Sequence, residues 1–210
     1  VPLDRAALIG CGVMTGFGAA GRTARVEAGS RTVVFGAGGV GLSAIQGCAV
    51  CGASQVVAVD TSAAKLEFAR QMGATHTIDA SQEENVVKAL RKLTDGGADY
   101  AFECVGHGEI AEQAYGSLAK GGTAVIVGVA PMSHKTSVRT AQLTFEEKTL
   151  TGSYFGSARP RQDFPRLISL YKGGRLKLDE LVTRTYSIDE APQAFEDLEK
   201  GRNARGVIVF

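Results

Sequence analysis

The sequence has almost no net charge and no long apolar run, and each of these absences excludes a class of protein. Its 23 lysines and arginines nearly balance 22 aspartates and glutamates, for a net charge of +1. A chain with that balance has no long-range field to attract nucleic acid or an anionic membrane surface. No stretch approaches the roughly 20 apolar residues of a membrane span. We therefore expect a globular protein that binds neither nucleic acid nor membrane.

Cysteine is also scarce, and the four that are present, Cys11, Cys48, Cys51 and Cys104, are scattered along 210 residues. No charged and then apolar signal peptide opens the sequence, so scattered thiols fit a reducing, cytoplasmic setting better than a disulfide framework. The first residue is Val1 and not methionine. We therefore expect a piece of a longer protein, although a processed N-terminus would look the same.

Glycine is abundant, at 27 residues, and it falls at the ends of short apolar runs. Six such runs alternate with helix-length segments: 32–35, 56–60, 75–79, 100–106, 123–129 and 149–155. The helix after the second run has Thr61 or Ser62 to cap it and Gly73 to end it, and the segment 108–122 also ends in glycine. Strands and helices repeated in this way predict an α/β fold with a doubly wound, mostly parallel sheet of six strands.

Residues 156–210 have a different pattern, which predicts a small α/β appendage. Two helices are expected there, with Pro165 and Pro192 in their first turns, where proline is tolerated. The segments "VTRTYS" and "GVIVF" predict two short strands.

The motif that gives the strongest indication of function is "VVFGAGGVGLSAIQ". In it, Gly36, Gly38 and Gly41 form G-x-G-x-x-G between a predicted strand and a predicted helix. The first glycine permits a tight turn, the second lets the backbone approach a pyrophosphate, and the third lets the helix pack closely on the strand. Asp60 ends the next strand, where a carboxylate would bind both ribose hydroxyls. This context predicts a dinucleotide site; the alternative is a purely structural glycine turn.

Asp60 also bears on which dinucleotide binds. Its carboxylate would repel a 2′-phosphate, and neither Thr61 nor Ser62 is an arginine that could receive one. NAD is therefore predicted over NADP. Enzymes that use S-adenosylmethionine share a similar glycine turn and acidic residue, so the turn alone does not exclude methyl transfer.

Other candidate groups favour structural roles. Cys48 and Cys51 lie late in a predicted helix, away from the N-terminus that stabilises thiolates, and no second C-x-x-C completes a zinc site. Tyr115 precedes Lys120 by five residues and not by the four of short-chain dehydrogenases. A solvated face explains the basic run 159–177 better than a nucleic-acid site. The three histidines are expected to be surface or turn residues and not ligands: His76, His107 and His134.

Seven segments resemble the zinc-containing alcohol dehydrogenases of the medium-chain superfamily. They occur in the family's order, from "LIGCGVMTGFGAA" through "VFGAGGVGLSAIQG", "VVAVDTSAAKLEFARQMGAT", "YAFECVG", "VIVGV" and "YFG" to "NARGVIVF". The sequence is most similar to the branch of liver-type and glutathione-dependent formaldehyde dehydrogenases and their actinobacterial relatives. The resemblance covers essentially all 210 residues.

The resemblance implies roles for individual residues. Cys11 matches a ligand of the catalytic zinc, and it is the one metal ligand that the resemblance places in this chain. Cys11 and Thr15 are the implied catalytic residues, and Thr15 also lines the nicotinamide pocket. The other implied cofactor-binding residues are Gly36, Gly38, Gly39, Val40 and Gly41 around the pyrophosphate and nicotinamide, Asp60 and Lys65 at the adenosine ribose, Val127, Gly128, Val129 and Phe155 at the nicotinamide, and Arg205 at the pyrophosphate.

The resemblance also implies a division of the chain. Residues 1–14 would end a segment of the catalytic domain, residues 15–155 would form an NAD-binding Rossmann domain, and residues 156–210 would return to the catalytic domain. In the family, zinc acts as a Lewis acid on a bound alcohol while NAD accepts hydride. The other two zinc ligands and the proton relay belong to a part of the family that has no counterpart here, so we expect this chain alone to be inactive.

Two other functions stay open at this point. One is a non-enzymatic NAD-binding module, and the other is a zinc-free medium-chain reductase, which Cys11 disfavours because it stands in the ligand motif. The expected substrate is a small alcohol or aldehyde. A homodimer is also expected, because the strand at 150–155 would be an exposed sheet edge.

Overall fold

A parallel sheet of six strands forms the centre of the structure, a computed structural model that describes all residues from Val1 to Phe210. The strands are β1 Arg31–Phe35, β2 Gln55–Asp60, β3 His76–Asp79, β4 Ala98–Glu103, β5 Leu118–Ile126 and β6 Thr149–Gly152. Their spatial order is β3-β2-β1-β4-β5-β6, and every pairing is parallel. The predicted doubly wound sheet is confirmed.

Helices connect the strands and cover both faces of the sheet. They are α1 Leu3–Leu8, α2 Met14–Gly18, α3 Gly39–Val50, α4 Ala63–Gln71, α5 Val86–Leu93, α6 Gly108–Gly116, α7 Thr140–Phe145, α8 Pro160–Lys172 and α9 Ala191–Glu199. The π-helical segment Ile9–Val13 joins α1 to α2, and a second one, Ala19–Ala24, extends α2, which gives one helical run that the sequence did not predict. No helix combines the length and the hydropathy that crossing a membrane requires.

Alternate strand residues enter two separate hydrophobic cores, as the period of two in a strand requires. Val34 and Phe102 belong to the larger core, which includes residues of the first helical run, α3 and α4. Val33 and Phe35 belong to the smaller core on the opposite face, under α5 and α6. Because both faces are covered, the strands can be apolar throughout, and the burial of β1 follows this pattern.

The C-terminal segment contains the two predicted short strands, β7 Val182–Tyr186 and β8 Arg205–Ile208. They pair in parallel, which the sequence did not predict. The segment's connection to the larger core was not predicted. Leu176, Leu178 and Leu181 are buried in that core, and the Gln46 side chain of α3 bonds both backbone groups of Lys177 at 2.7 and 3.1 Å. The segment is therefore packed on the sheet and does not stand apart from it.

Several element boundaries predicted from the sequence are wrong. Strands β4 and β5 end at Glu103 and Ile126, each three residues before the end of its predicted run. Helix α8 begins at Pro160, so Pro165 lies inside the helix and not in its first turn. Helix α6 ends at Gly116 and not at the later glycines, because Leu118 already pairs with Ala98 of β4. The last strand ends at Gly152.

Candidate functional site

Three neighbouring cavities lie along the carboxyl ends of the sheet strands. The large cavity, about 1000 Å³, lies beyond β4, β5 and β6. The middle cavity, about 260 Å³, lies beyond β1, β2 and β3, and the loop cavity, about 330 Å³, lies between the β1–α3 loop and residues 201–205. Val105 lines both the large and the middle cavity, and Lys65 both the middle and the loop cavity. Doubly wound sheets bind ligands at this edge, where the strand order reverses, here between β1 and β4.

The glycines of the β1–α3 loop are required by the backbone. Gly36 has a φ of +89°, which favours glycine, and its N–H donates to the Val59 carbonyl at 2.8 Å. A Cβ atom on Gly41 would overlap the Gly36 carbonyl oxygen and would lie 3.6 Å from the Cys104 Cβ. The turn and the close approach of helix to strand are therefore built as the motif predicts.

Gly38 differs from these two, because it has an ordinary extended backbone and open space beside it. Its φ is −77° and its ψ −178°, and a Cβ atom there would meet nothing within 4 Å. It caps the N-terminus of α3, where the first N–H groups have no partner inside the helix. An open position beside unpaired N–H groups and a helix dipole is suited to a phosphate.

Arg205 of β8 brings a cation to the same place. A Cβ atom on Gly12 or on Gly39 would overlap its guanidinium, so both glycines allow the side chain to lie against the loop. Burial lowers the pKa of Arg205, and its guanidinium makes no hydrogen bond or ion pair within the chain. A half-buried cation with no anion of its own, beside a helix N-terminus, is suited to a pyrophosphate.

Asp60 lies at the end of β2, on the wall of the middle cavity. Its Oδ2 accepts from the Ala37 N–H at 2.8 Å, and its Oδ1 accepts from the Ser62 N–H at 3.0 Å. Because each carboxylate oxygen can accept a second hydrogen bond, Asp60 can still bind hydroxyl groups while it fixes the loop. Ser62 begins α4 without a side-chain cap bond.

The large cavity brings together Cys11, which the resemblance assigned to zinc, and the residues that it assigned to the nicotinamide. They come from the first helical run, from α3 and from the ends of β5 and β6: Cys11, Thr15, Val40, Val127, Gly128, Val129 and Phe155. Cys104 also lines this cavity, and burial raises the pKa of its thiol well above the ordinary value. Because no predicted site residue lies away from the three cavities or the loop between them, the cavities together form one candidate site.

Sequence reasoning missed Glu103, the last residue of β4. Its buried Oε1 accepts from the N–H groups of Val105 and Gly106, at 2.8 and 2.7 Å. Its Oε2 has no partner in the chain, and a Cβ atom on Gly128 would lie 2.7 Å from it. Glu103 therefore fixes the turn that places Val105 between the large and middle cavities. An acidic residue at the end of an apolar strand was the available signal.

A second missed group fixes the loop that carries Arg205. The buried carboxylate of Asp197 accepts hydrogen bonds from the hydroxyl of Tyr186 at 2.8 Å and from Arg184 and Arg202 at 2.7 and 3.0 Å. These bonds, the one from Tyr186 foremost, lower the pKa of Asp197. Asn203 donates to the same tyrosine at 2.9 Å. Residues 201–205 therefore hold a fixed position over the loop cavity.

The groups interpreted as structural lie outside the three cavities. Burial raises the pKa of Cys48 to about 12, which makes it an inert thiol. Tyr115 is buried in the smaller core, and burial raises its pKa as well. The structure brings His107 and His134 together, with ring centroids 4.8 Å apart, although they are distant in sequence.

Cys11, the predicted metal ligand, is exposed and lies in the π-helical segment Ile9–Val13. Nowhere in the structure do three or more histidine, cysteine, aspartate or glutamate side chains meet in a way that could hold a metal ion. A catalytic zinc takes about three protein ligands. The residues of this chain alone therefore do not fit a zinc ion.

Comparison with known proteins identifies close relatives. Residues 39–173 match the family described as zinc-binding dehydrogenase. The chain is 43% identical over 212 residues to the NDMA-dependent alcohol dehydrogenase of Amycolatopsis methanolica. It is 38% identical over 216 residues to the S-(hydroxymethyl)glutathione dehydrogenase of Paracoccus denitrificans. Both alignments cover 100% of this chain and 57% of the relative.

The fold has an equally close match among solved structures. The crystal structure of benzyl alcohol dehydrogenase from Acinetobacter calcoaceticus superposes with a TM-score of 0.95 at 38% sequence identity. The alignment covers 99% of this chain and 57% of that protein. The chain thus spans little more than half the length of the relatives that it matches.

Proposed function

We propose, from the premise that this chain belongs to the zinc-binding dehydrogenase family, that its cleft binds NAD. The membership confirms the resemblance seen in the sequence. The observation that carries the proposal is the open Gly38 beside the unpaired Arg205 guanidinium, in the wall of the loop cavity. Titration of the chain with NAD tests the proposal.

Each part of the cofactor has residues that fit it. Asp60 and Lys65 would hold the adenosine ribose through the carboxylate and the ammonium group. The N-terminus of α3 and Arg205 would hold the pyrophosphate. The large cavity would take the nicotinamide, with Thr15 and Phe155 among the residues around it. The loop cavity lies between the first two groups and connects them.

For the whole protein we propose NAD-linked oxidation of a small alcohol, or the reverse reduction of an aldehyde. NAD supplies the hydride acceptor when it is bound. The contribution of this chain is to orient the nicotinamide and to line the cavity where the substrate carbon would approach it. Because Cys11 is a single ligand candidate, we derive no step through zinc from the residues of this chain.

The carboxylate of Asp60 favours NAD over NADP, since it stands where a 2′-phosphate would carry like charge. The compartment that we propose is the cytoplasm. All four cysteines are free thiols, including the exposed Cys11, which fits a reducing environment.

We expect the purified chain to contain essentially no zinc and to reduce no NAD when alcohol is added. A single exposed thiolate cannot retain zinc against water and buffer, and without a metal the alcohol is not activated. Elemental analysis after dialysis and an absorbance assay with primary alcohols measure the two quantities. Stoichiometric zinc that is lost in Cys11→Ser, or turnover above a no-protein control, would contradict this expectation.

The alternative of a non-enzymatic NAD-binding module keeps one observation in its favour, the lack of any three-ligand cluster in the structure. The coding sequence upstream of residue 1 separates the two functions: a segment there with further cysteine and histidine ligands would favour the dehydrogenase over the module. Because Cys11 lines the large cavity, we expect bound NAD to slow its alkylation. A Cys11 thiol whose alkylation is unaffected by saturating NAD would favour a purely structural cysteine.

We also propose that the chain forms a homodimer through the β6 edge. Strand β6 is the last in the sheet and its outer side is unpaired. Two exposed aromatic side chains flank it in sequence, Phe145 before and Tyr154 after. An exposed strand edge with apolar neighbours is a surface that proteins usually cover, and a two-fold axis would cover both edges at once.

Sedimentation velocity at micromolar concentration should therefore show a dimer. Phe145→Glu should shift it to monomer, because it places a charge beside the edge. Phe195→Glu on α9 is the matched control, since Phe195 is also exposed but lies in the C-terminal segment, and it should stay dimeric. A wild-type chain that sediments only as a monomer would rule out this interface.

A further inference from the structure

The turn after β6 has an unusual backbone. Phe155, Gly156 and Ser157 have φ values of +53°, +65° and +51°, so three successive residues adopt the left-handed conformation. Glycine adopts it freely, whereas residues with a Cβ atom adopt it only against steric strain. Phe155 is one of the residues around the large cavity. A strained turn therefore presents a side chain to the proposed nicotinamide end of the cleft, and something must hold it there.

Two side chains of the π-helical segment Ala19–Ala24 bond this turn from both sides. The hydroxyl of Thr23 lies 2.8 Å from the hydroxyl of Ser153 before the turn and 2.8 Å from that of Ser157 at its end. The Nε of Arg22 donates to the Ser157 carbonyl at 3.1 Å. The two bonded serines are separated in sequence by the residues of the turn itself.

Arg22 is in turn fixed by a buried acid. Its Nη1 lies 2.9 Å from Oδ1 of Asp163, which is 5% exposed. The other oxygen of Asp163 accepts from the Arg159 N–H at 2.6 Å, at the start of α8. We call Arg22, Thr23, Ser153, Ser157 and Asp163 together the turn latch. Its members come from two parts of the chain, residues 22–23 and 153–163, and Thr23 and Ser153 are 130 positions apart in sequence.

The helix beneath the turn leaves no room for a side chain at position 156. A Cβ atom on Gly156 would overlap the Met14 carbonyl and would lie 2.8 Å from the Gly18 Cα. The turn is therefore wedged against α2 by Gly156 and bonded to the following π-helical segment by the latch. Thr15, which lies between these two contact points, also lines the large cavity.

We propose that the turn latch holds the left-handed turn in place and so fixes Phe155 in the position that binds the nicotinamide. Thr23 is a positioning residue in this proposal, because it does not line the cavity and acts through Ser153 and Ser157. The inference rests on the proposed binding of NAD. Without the two hydroxyl bonds the turn can relax to an unstrained conformation and move Phe155. The middle and loop cavities have no latch residue in their walls, so binding of the adenosine end stays intact.

The test compares NAD with ADP-ribose, which lacks only the nicotinamide. Thr23→Val removes both hydroxyl bonds and keeps the branched shape. In this variant, nicotinamide binding has to restore the turn at a cost of about one to two net hydrogen bonds. That cost predicts about tenfold weaker NAD binding, while ADP-ribose binding is unchanged. Thr23→Ser restores the hydroxyl and should restore NAD affinity. Thr77→Val is the matched control, since it removes a hydroxyl that accepts from Arg70 at 2.6 Å near the opposite sheet edge. This variant should change the affinity for neither NAD nor ADP-ribose.

Ser157→Ala gives a second measurement should Thr23→Val fail to fold, because it removes one of the same bonds at an exposed position. It should also weaken the binding of NAD and leave the binding of ADP-ribose unchanged. Equal losses of affinity for both ligands, or no loss of NAD affinity in folded variants, would overturn the proposed role of the turn latch. A wild-type chain that binds ADP-ribose but not NAD would overturn it too. If the wild-type chain binds neither ligand, the proposed function itself is wrong.

Discussion

Gly38→Val should weaken NAD binding by about a hundredfold, equivalent to about 2.7 kcal/mol of lost phosphate interactions. The position has an ordinary backbone and open space, so the valine side chain fits the protein. It would stand where the phosphate must approach the N-terminus of α3. Valine caps a helix less well than glycine, so we expect a loss of stability of at most about 1 kcal/mol. Titration calorimetry and thermal melting measure the two effects separately.

Two glycine variants serve as controls for this prediction. Gly10 also has open space but lies outside the three cavities, so Gly10→Val should leave NAD affinity unchanged. Gly41→Ala should lower the free energy of unfolding, because its Cβ would overlap the Gly36 carbonyl. NAD affinity that survives in Gly38→Val would show that no phosphate lies at this helix terminus.

The double variant Asp60→Gly with Thr61→Arg should raise the ratio of NADP to NAD affinity by about a hundredfold. Removal of Asp60 takes away a negative charge and frees the N–H groups of Ala37 and Ser62, which it now binds. The new arginine adds a cation for the 2′-phosphate. Lys65 and Arg202 already line the neighbouring loop cavity, so the local charge becomes strongly positive.

Separate titrations with NAD and NADP measure this ratio. Asp60→Asn is the matched control, because it removes the charge but adds no cation, and it should give a smaller shift. A ratio that does not change in the double variant would mean that Asp60 is not near the adenosine ribose.

The sheet and the glycine loop could be predicted because they depend on local signals. Apolar runs with turn residues at their ends identify strands such as β1, and the G-x-G-x-x-G spacing specifies the turn that Gly36 and Gly41 form. The ends of the helices and strands were harder to predict from the sequence, because tertiary contacts decide where each element ends. Pro165 is accommodated inside α8, in its first half, where it leaves the Arg161 carbonyl without its usual partner in the helix.

The parts of the site that depend on distant residues could not be predicted from spacing alone. Arg205 reaches the glycine loop because Gly12 and Gly39 leave room for it, and these three residues are far apart in the chain. The resemblance, and not any local pattern, suggested its role. The bond between Thr23 and Ser153 joins residues that are 130 positions apart, and no local pattern reports it.

Titration of the wild-type chain with NAD, ADP-ribose and nicotinamide mononucleotide tests the central claim most directly. If the cleft binds the whole dinucleotide, NAD should bind at one site per chain and more tightly than either part, because the three cavities are linked by Val105 and Lys65. Arg205→Ala should weaken the binding of NAD and of ADP-ribose alike, since both ligands contain the pyrophosphate. A chain that is folded by thermal melting yet shows no heat of NAD binding at millimolar concentration would contradict the account.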